Sequence, residues 1–200
     1  MFTESIEGDG LRLRLLTPDD SPTLLAFWNL PEVVEPTSSE GWTAESMAAF
    51  LAENVAGAAR GDWCRYAILL PGGDAPVGTV GLFHSDPRNR RAEIGYDLSP
   101  EWWGQGLMVR AANLLIGWAF AHGFHRIEAT VMAGNLRSER VLQKLGFERE
   151  GMMRDYKLVR GEWCAYSLWG RVSSGWQGEG EGGSHAFGPS RPSVPDVSAL

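Results

Sequence analysis

The stretch EWWGQGLMVRAANLLIGWAF, residues 101–120, sets the tightest limit on what this chain can become. Two glycines straddle one glutamine. An apolar stripe of helical period starts directly behind them at Leu107, Ala111, Leu114, Leu115 and Trp118. Glycine weakens a helix by about 1 kcal/mol relative to alanine, so the pair belongs to a loop that feeds the helix. The first four N–H groups of a helix lack partners within it and carry the positive end of its dipole. A strand, a tight glycine loop and a helix start therefore make a seat for a phosphate, which can approach the backbone where side chains are missing. The bland alternative is a tight turn with no ligand. The loop has neither the Gly-Lys-Ser/Thr ending of a P-loop nor the spacing of a dinucleotide fingerprint.

The flanking segments alternate between two periods. GLRLRLL (10–16), WCRYAILL (63–70), VGTVGLF (77–83), AEIGYDL (92–98) and HRIEATVM (125–132) read as strands. Residues 19–28, 43–60 and 135–145 read as helices. Thr17-Pro18 and Thr43 start the first two, Met47, Phe50, Leu51 and Val55 form the apolar face of the second, and Gly146 ends the third. FEREGMMRDYKLV and EWCAYSLWGRV form a closing hairpin around Arg160-Gly161. This order predicts an α/β (α+β) chain with a central mixed, mostly antiparallel sheet of about seven strands, flanked by about four helices, with a parallel crossover at 92–132. Residues 1–172 are predicted to form one domain. Residues 173–200, rich in Gly, Ser and Pro and without periodicity, are predicted to be a disordered tail.

The net charge of −7 is unevenly spread. Residues 1–62 hold eleven acids and three Arg, net −8, whereas residues 103–160 hold nine bases and five acids, net +4. One half suits a cation and the other an anion, unless both are ordinary solvated faces. Overall acidity argues against nucleic acid as the main partner. No apolar run reaches the roughly 18 residues of a membrane span, and the N-terminus does not read as a secretory signal. Cys64 and Cys164 stand apart without a CxxC pair and read as reduced thiols of a cytoplasmic protein.

A second stretch, MAGNLRSERVLQKLGFEREG (132–151), puts Asn135 at a helix start and Ser138 three residues on; either serves equally well as a plain cap. Together, the order strand–WWGQGLM–helix–strand–NLRS–helix–KLGF resembles the GNAT acyl-CoA N-acyltransferases over residues 10–172. More narrowly, GFHRIEATVMAGNLRSERVLQKLGFEREGMMRDYKLVRGEW resembles the RimJ/RimL group, which acetylate N-terminal α-amino groups of ribosomal proteins.

The resemblance implies direct acetyl transfer from acetyl-CoA to an amine, without metal. It implies that the backbones of Trp103, Gly104, Gln105, Gly106, Leu107 and Met108 grip the diphosphate. It also implies that strand residues near Leu98 bond the pantetheine arm, that strands 92–98 and 126–132 splay to admit the thioester, and that a backbone N–H there stabilises the oxyanion. Asn135 orients the arm near the sulfur. Arg137 contacts phosphate, with Arg110, Arg140 and Lys144 as further outer candidates or else solvated helix charges. Some relatives carry a helix Tyr as acid and a strand Glu as base. Leu142 and Thr130 stand in those places here. Ser138 is the preferred proton donor to the sulfur, Glu93 the preferred base through a water, and Tyr96 and Tyr156 are spares.

His122 and His125 lack a nearby third ligand of the usual sort, and no metal is expected. Trp28, Trp42, Trp102 and Trp103 either line an acceptor groove or sit in the core. The acidic first 62 residues suit a cationic peptide or protein N-terminus as acceptor, and a homodimer is left open. Cys164-Ala165 replaces the acid that Rim-like chains often carry after the last hairpin Trp, so the acceptor can differ from a ribosomal N-terminus. Two rivals stand, the second kept open by Leu142 and Thr130 in the places of the Tyr and Glu. One is acetylation of a small amine such as an aminoglycoside, a polyamine or an amino acid. The other is a non-catalytic acyl-CoA-binding protein.

Overall fold

A computed structural model describes residues 2–174. The predicted tail falls, from residue 175 on, outside the described residues. Among the described residues, eight strands form one sheet: β1 (Ser5–Gly8), β2 (Leu11–Leu15), β3 (Cys64–Leu69), β4 (Gly78–Asp86), β5 (Arg91–Leu98), β6 (Arg126–Met132), β7 (Glu148–Val159) and β8 (Glu162–Val172). Their order is β1-β2-β3-β4-β5-β6-β8-β7, and only the β5–β6 pair is parallel. Five helices flank it: α1 (Ser21–Trp28), α2 (Pro31–Val34), α3 (Ala44–Arg60), α4 (Leu107–Ala121) and α5 (Leu136–Lys144).

The eighth strand is the one the reading of the sequence omits. β1 folds back on β2 through Asp9 and Gly10, both left-handed with φ of 50° and 66°. Asp-Gly between two short strands is a strong hairpin signal. The fifth helix is the single turn α2, started by Pro31 inside a segment read as loop.

Alternation sorts the sheet residues onto two faces. Cys64, Tyr66 and Ile68 of β3 face the cluster that includes Ala111, Leu115 and Ile116 of α4, while Ala67 and Leu69 face Leu24, Phe27, Met47 and Leu51 of α1 and α3. α3 starts as predicted: Thr43 Oγ1 accepts the Ser46 N–H at 3.1 Å, and Ser46 Oγ accepts the Thr43 N–H at 3.0 Å. Its inner face differs by one residue. Val55 is exposed, and the wholly buried neighbour is Asn54. Asn54 exchanges two hydrogen bonds with the backbone of Arg65, at 2.6 and 3.1 Å. A polar residue can stand there because both halves of its amide are satisfied.

Candidate active site

The parallel pair makes the site. β5 and β6 are in register only at Arg91↔Arg126, Ala92↔Ile127 and Glu93↔Glu128. Beyond Glu93 they part, and the gap between them is a cavity of 180 Å³. On one side it meets a cavity of 360 Å³ bounded by the glycine loop, α4 and α5. On the other it meets one of 930 Å³ bounded by α1, the 33–42 segment, β5 and β7.

Most of the predicted loop and helix residues line the 360 Å³ cavity: Leu98, Trp103, Gly104, Gly106, Leu107, Met108, Asn135, Arg137 and Ser138, joined by Arg140 and Lys144. Gly104 and Gly106 have φ of 78° and 74°, and a Cβ on either would meet nothing within 4 Å. Backbone conformation, not crowding, demands glycine at both positions. No side chain caps α4, and its first helical bond is the Arg110 N–H to Gly106 carbonyl at 3.2 Å. Free N–H groups, open space above two glycines and three cations on the cavity wall suit a diphosphate.

Several of these groups are engaged by neighbours. Gln105 does not line the cavity, and its side chain donates back to the Glu101 carbonyl at 3.0 Å. Arg110 is spent elsewhere, its Nε pairing with Asp9 at 3.0 Å. The Leu98 carbonyl accepts the Trp103 indole N–H at 2.8 Å, and the Arg137 guanidinium packs 3.9 Å above that ring. Asn135 is the α5 cap: its Oδ1 accepts the Ser138 N–H at 3.1 Å, and its Nδ2 donates to the Pro36 carbonyl at 3.2 Å. Both ends of its amide are thereby engaged. The four tryptophans divide, with Trp102 and Trp103 on the 360 Å³ cavity and Trp28 and Trp42 on the 930 Å³ one.

Ser138 lies where the 180 and 360 Å³ cavities meet. The Tyr96 hydroxyl reaches it from β5, 3.0 Å from Ser138 Oγ and 3.2 Å from the Ser138 carbonyl. Burial raises the Tyr96 phenol above its usual range, so it stays protonated and can donate. Leu142 is fully buried in α5, so the hydroxyl near Ser138 comes from the strand.

Glu93 lies apart from this pair, on the 930 Å³ cavity. Thr130 Oγ1 donates to its Oε1 at 2.6 Å, and His84 Nδ1 lies 3.0 Å from its Oε2. Burial pushes this carboxyl up, but the His84 and Thr130 hydrogen bonds, with the His84 and Lys157 charges, outweigh it and hold it below the usual range. Thr130 thus holds in place a carboxylate supplied by the neighbouring strand. His84 reaches Glu93 from a bulge in β4, with φ of 49°.

Five ionisable wall residues of this cavity escaped the sequence reading: Glu40, Arg65, His84, Asp97 and Lys157. Arg65 pairs with Asp97 and donates from Nε to Thr79 Oγ1 at 2.8 Å. Burial lowers the Arg65 pKa, and the Asp97 charge raises it in part. The only local signal was an arginine in a strand otherwise buried, WCRYAILL. The 33–42 segment is pinned by Arg160, which donates to the carbonyls of Glu35, Thr37 and Ser39 at 2.9, 3.1 and 2.9 Å. His122 is turned to the Trp118 carbonyl at 2.7 Å and stacks on that ring. No helix among the described residues is long and apolar enough to cross a membrane.

The family described as the acetyltransferase (GNAT) domain matches residues 10–148. The uncharacterised N-acetyltransferase p20 of Bacillus licheniformis is 33% identical over 160 residues, which is 79% of this chain and 90% of that protein. The ribosomal-protein-S5-alanine acetyltransferase of Vibrio fischeri superposes with a TM-score of 0.74 at 26% identity, covering 87% of this chain and 99% of that one. RimL, a ribosomal L7/L12 alpha-N-protein acetyltransferase solved in complex with coenzyme A, shares the fold at 22% identity and a TM-score of 0.77, over 84% of this chain and 98% of that one. The splayed parallel strands, the glycine loop opening α4 and this match over more than half the residues lead to one conclusion: the chain belongs to the GNAT acetyltransferase family.

Proposed function

We propose that this protein transfers the acetyl group of acetyl-CoA to the α-amino group at the N-terminus of a peptide or protein. The observation that carries this reading is the meeting of the loop-side and open cavities at the β5–β6 gap, beside the Ser138–Tyr96 hydroxyl pair. Acetyl-CoA supplies an activated acyl group as a thioester. The backbone around Gly104, Gly106, Leu107 and Met108 holds its diphosphate, with Arg137, Arg140 and Lys144 on the same wall. Ser138 delivers a proton to the departing sulfur, and Tyr96 orients it. Glu93, ionised at neutral pH, takes the proton shed by the acceptor nitrogen through a water.

The acceptor must be neutral to attack. With an α-amino pKa of about 8 and a lysine pKa of about 10.4, roughly a tenth of the former is neutral at pH 7, against about 0.04% of the latter. This favours an N-terminus without any specific contact. The Vibrio fischeri relative, named for a ribosomal-protein alanine, supports the same acceptor class. Two free thiols, Cys64 with its pKa pushed up to about 12 by burial, fit a cytoplasmic location.

The test is thiol release from acetyl-CoA with peptides bearing free or blocked N-termini, polyamines and aminoglycosides. Release only with free-N-terminus peptides supports the proposal. Release only with small amines moves the function to metabolite or drug acetylation, and binding without any release makes the protein a CoA binder.

A further inference from the structure

The open cavity contains a cation that the transfer chemistry does not use. Lys157 lines both the 180 Å³ gap and the 930 Å³ cavity, so it stands at their border, beside the place the reacting amine must occupy. A register shift in β7 between Met153 and Lys157, with Asp155 at φ 48°, places it there. Bulges of this kind re-aim side chains next to active sites. Tyr156 and Tyr166 support the ammonium, their ring centres 5.8 and 5.5 Å from Nζ.

The other basic groups of the cavity wall are answered. Arg65 is paired with Asp97, and His84 with Glu93. No carboxylate among the described residues lies within 4.0 Å of the Lys157 ammonium. Glu93 feels its charge but is held by His84 and Thr130. Beside the carboxylates of Glu93 and Glu40, the wall therefore presents an ammonium without an ion-pair partner among the described residues. An acceptor that carries a carboxylate close to its amine satisfies both kinds of charge, whereas a cationic acceptor meets repulsion from Lys157.

Resting on the N-terminal reading above, we infer that Lys157 is a specificity-determining residue that selects acceptors with a carboxylate near the reacting amine. In a peptide this is an acidic side chain at the second position. The same chemistry exists in a free amino acid, whose own carboxylate lies next to the amine. This reverses the preference for a cationic peptide that the acidic first 62 residues suggest. Of those eleven acids, Asp9, Asp20, Glu53 and Asp62 are held in arginine pairs, and Glu40 is the one that lines the 930 Å³ cavity.

The experiment measures kcat/KM by thiol release from acetyl-CoA with matched acceptors. Peptides headed Ala-Glu, Ala-Gln and Ala-Lys are otherwise identical, and alanine is set against alaninamide. The expected result is about a tenfold preference for Glu over Gln, with Lys poorest, the size of one charge-assisted contact. Lys157→Gln should reduce the preference to about twofold or less, mainly through KM, and Lys157→Arg should retain it. Equal rates for the Glu and Gln peptides in the native protein overturn the inference, as does a preference that survives Lys157→Gln. A uniform drop in kcat for all acceptors in that variant also overturns it, since Lys157 then serves the transfer step. Turnover of alanine but of no peptide rejects the N-terminal acceptor, while the alanine-to-alaninamide ratio still judges Lys157. No thiol release with any of these acceptors rejects both.

Discussion

Tyr96→Phe is the sharpest probe of the hydroxyl pair. The ring stays, so no cavity opens, and the variant removes one oxygen that lies 3.0 Å from Ser138 Oγ and 3.2 Å from the Ser138 carbonyl. A neutral hydrogen bond contributes about 1 kcal/mol net, which in a chain of this size lowers Tm by about 2–4 °C. The larger effect is expected in rate. A positioned proton donor is worth about 10² in kcat or more, so Ser138→Ala should cost at least that much. If Tyr96 acts by orienting Ser138, its removal should cost about tenfold when Ser138 is present and almost nothing when it is absent. The coupling energy is then about 1.4 kcal/mol. The assay is single-turnover acetyl transfer by the four proteins of the cycle, with thermal unfolding as control for folding. Native kcat in Ser138→Ala refutes the donor assignment. An equal Tyr96→Phe penalty in both backgrounds refutes the orienting role.

Outcomes at three other residues follow from the same geometry. The hydrogen-bonded Glu93 carboxyl titrates below the usual range, so it is ionised throughout neutral pH, and kcat/KM for a peptide should rise with pH and level near the acceptor's own pKa of about 8. Glu93→Gln should lower that plateau by about 10² without moving the inflection, and an unchanged plateau removes its role as base. Because its folded pKa is depressed, Glu93 adds stability above its unfolded pKa and loses it as pH falls through the folded one, so the Gln variant should lose less stability than the native protein in acid unfolding curves. Asp97→Asn leaves the largely buried Arg65 charge without its counter-ion and should destabilise by about 3 kcal/mol in urea titration. Gly106→Ala forces a side chain to φ 74°, costing about 1–2 kcal/mol, and should also raise KM for acetyl-CoA while sparing KM for the acceptor.

The cofactor side of the site was legible in the sequence, and the acceptor side was not, for a physical reason. The glycine loop, the α4 stripe and the Asn135 cap are local: conformation and partner lie within a few residues. The left-handed glycines followed from their place before a helix, whereas the strand gap and Ser138 beside it followed from the family resemblance. Even there, competition for partners was invisible. Nothing local says that the Trp103 indole occupies the Leu98 carbonyl, or that Asp9, 101 residues away, claims Arg110. Val55 and Asn54 show the same limit, since a helical period separates inward from outward by only one position, and the backbone of Arg65 decided which.

The acceptor cavity depends on long-range partners throughout. Its wall joins Trp28, Arg65, His84, Glu93 and Lys157 from five elements. Two of these, His84 and Lys157, are placed by irregularities with a residue at positive φ, one extra residue in β4 between Phe83 and Asp86 and two in β7 between Met153 and Lys157. Strict alternation through β4 and β7 therefore assigns His84 and Lys157 no particular role. The same bulges separate the proposed acceptor-selecting residue from the proposed transfer residues. Ser138 and Tyr96 belong to regular elements on either side of the gap, where the hydroxyl pair is held by the sheet and α5. Lys157 follows an irregularity in β7, the outer strand of the sheet, where a change in register re-aims one side chain without disturbing the β5–β6 splay. A fold arranged in this way can change its acceptor by altering a bulge while keeping its transfer chemistry. On this reasoning, deleting Asp155 should alter the ranking of acceptors and leave KM for acetyl-CoA unchanged. If acceptor ranking is retained, or cofactor affinity falls with it, the two halves of the site are not separable.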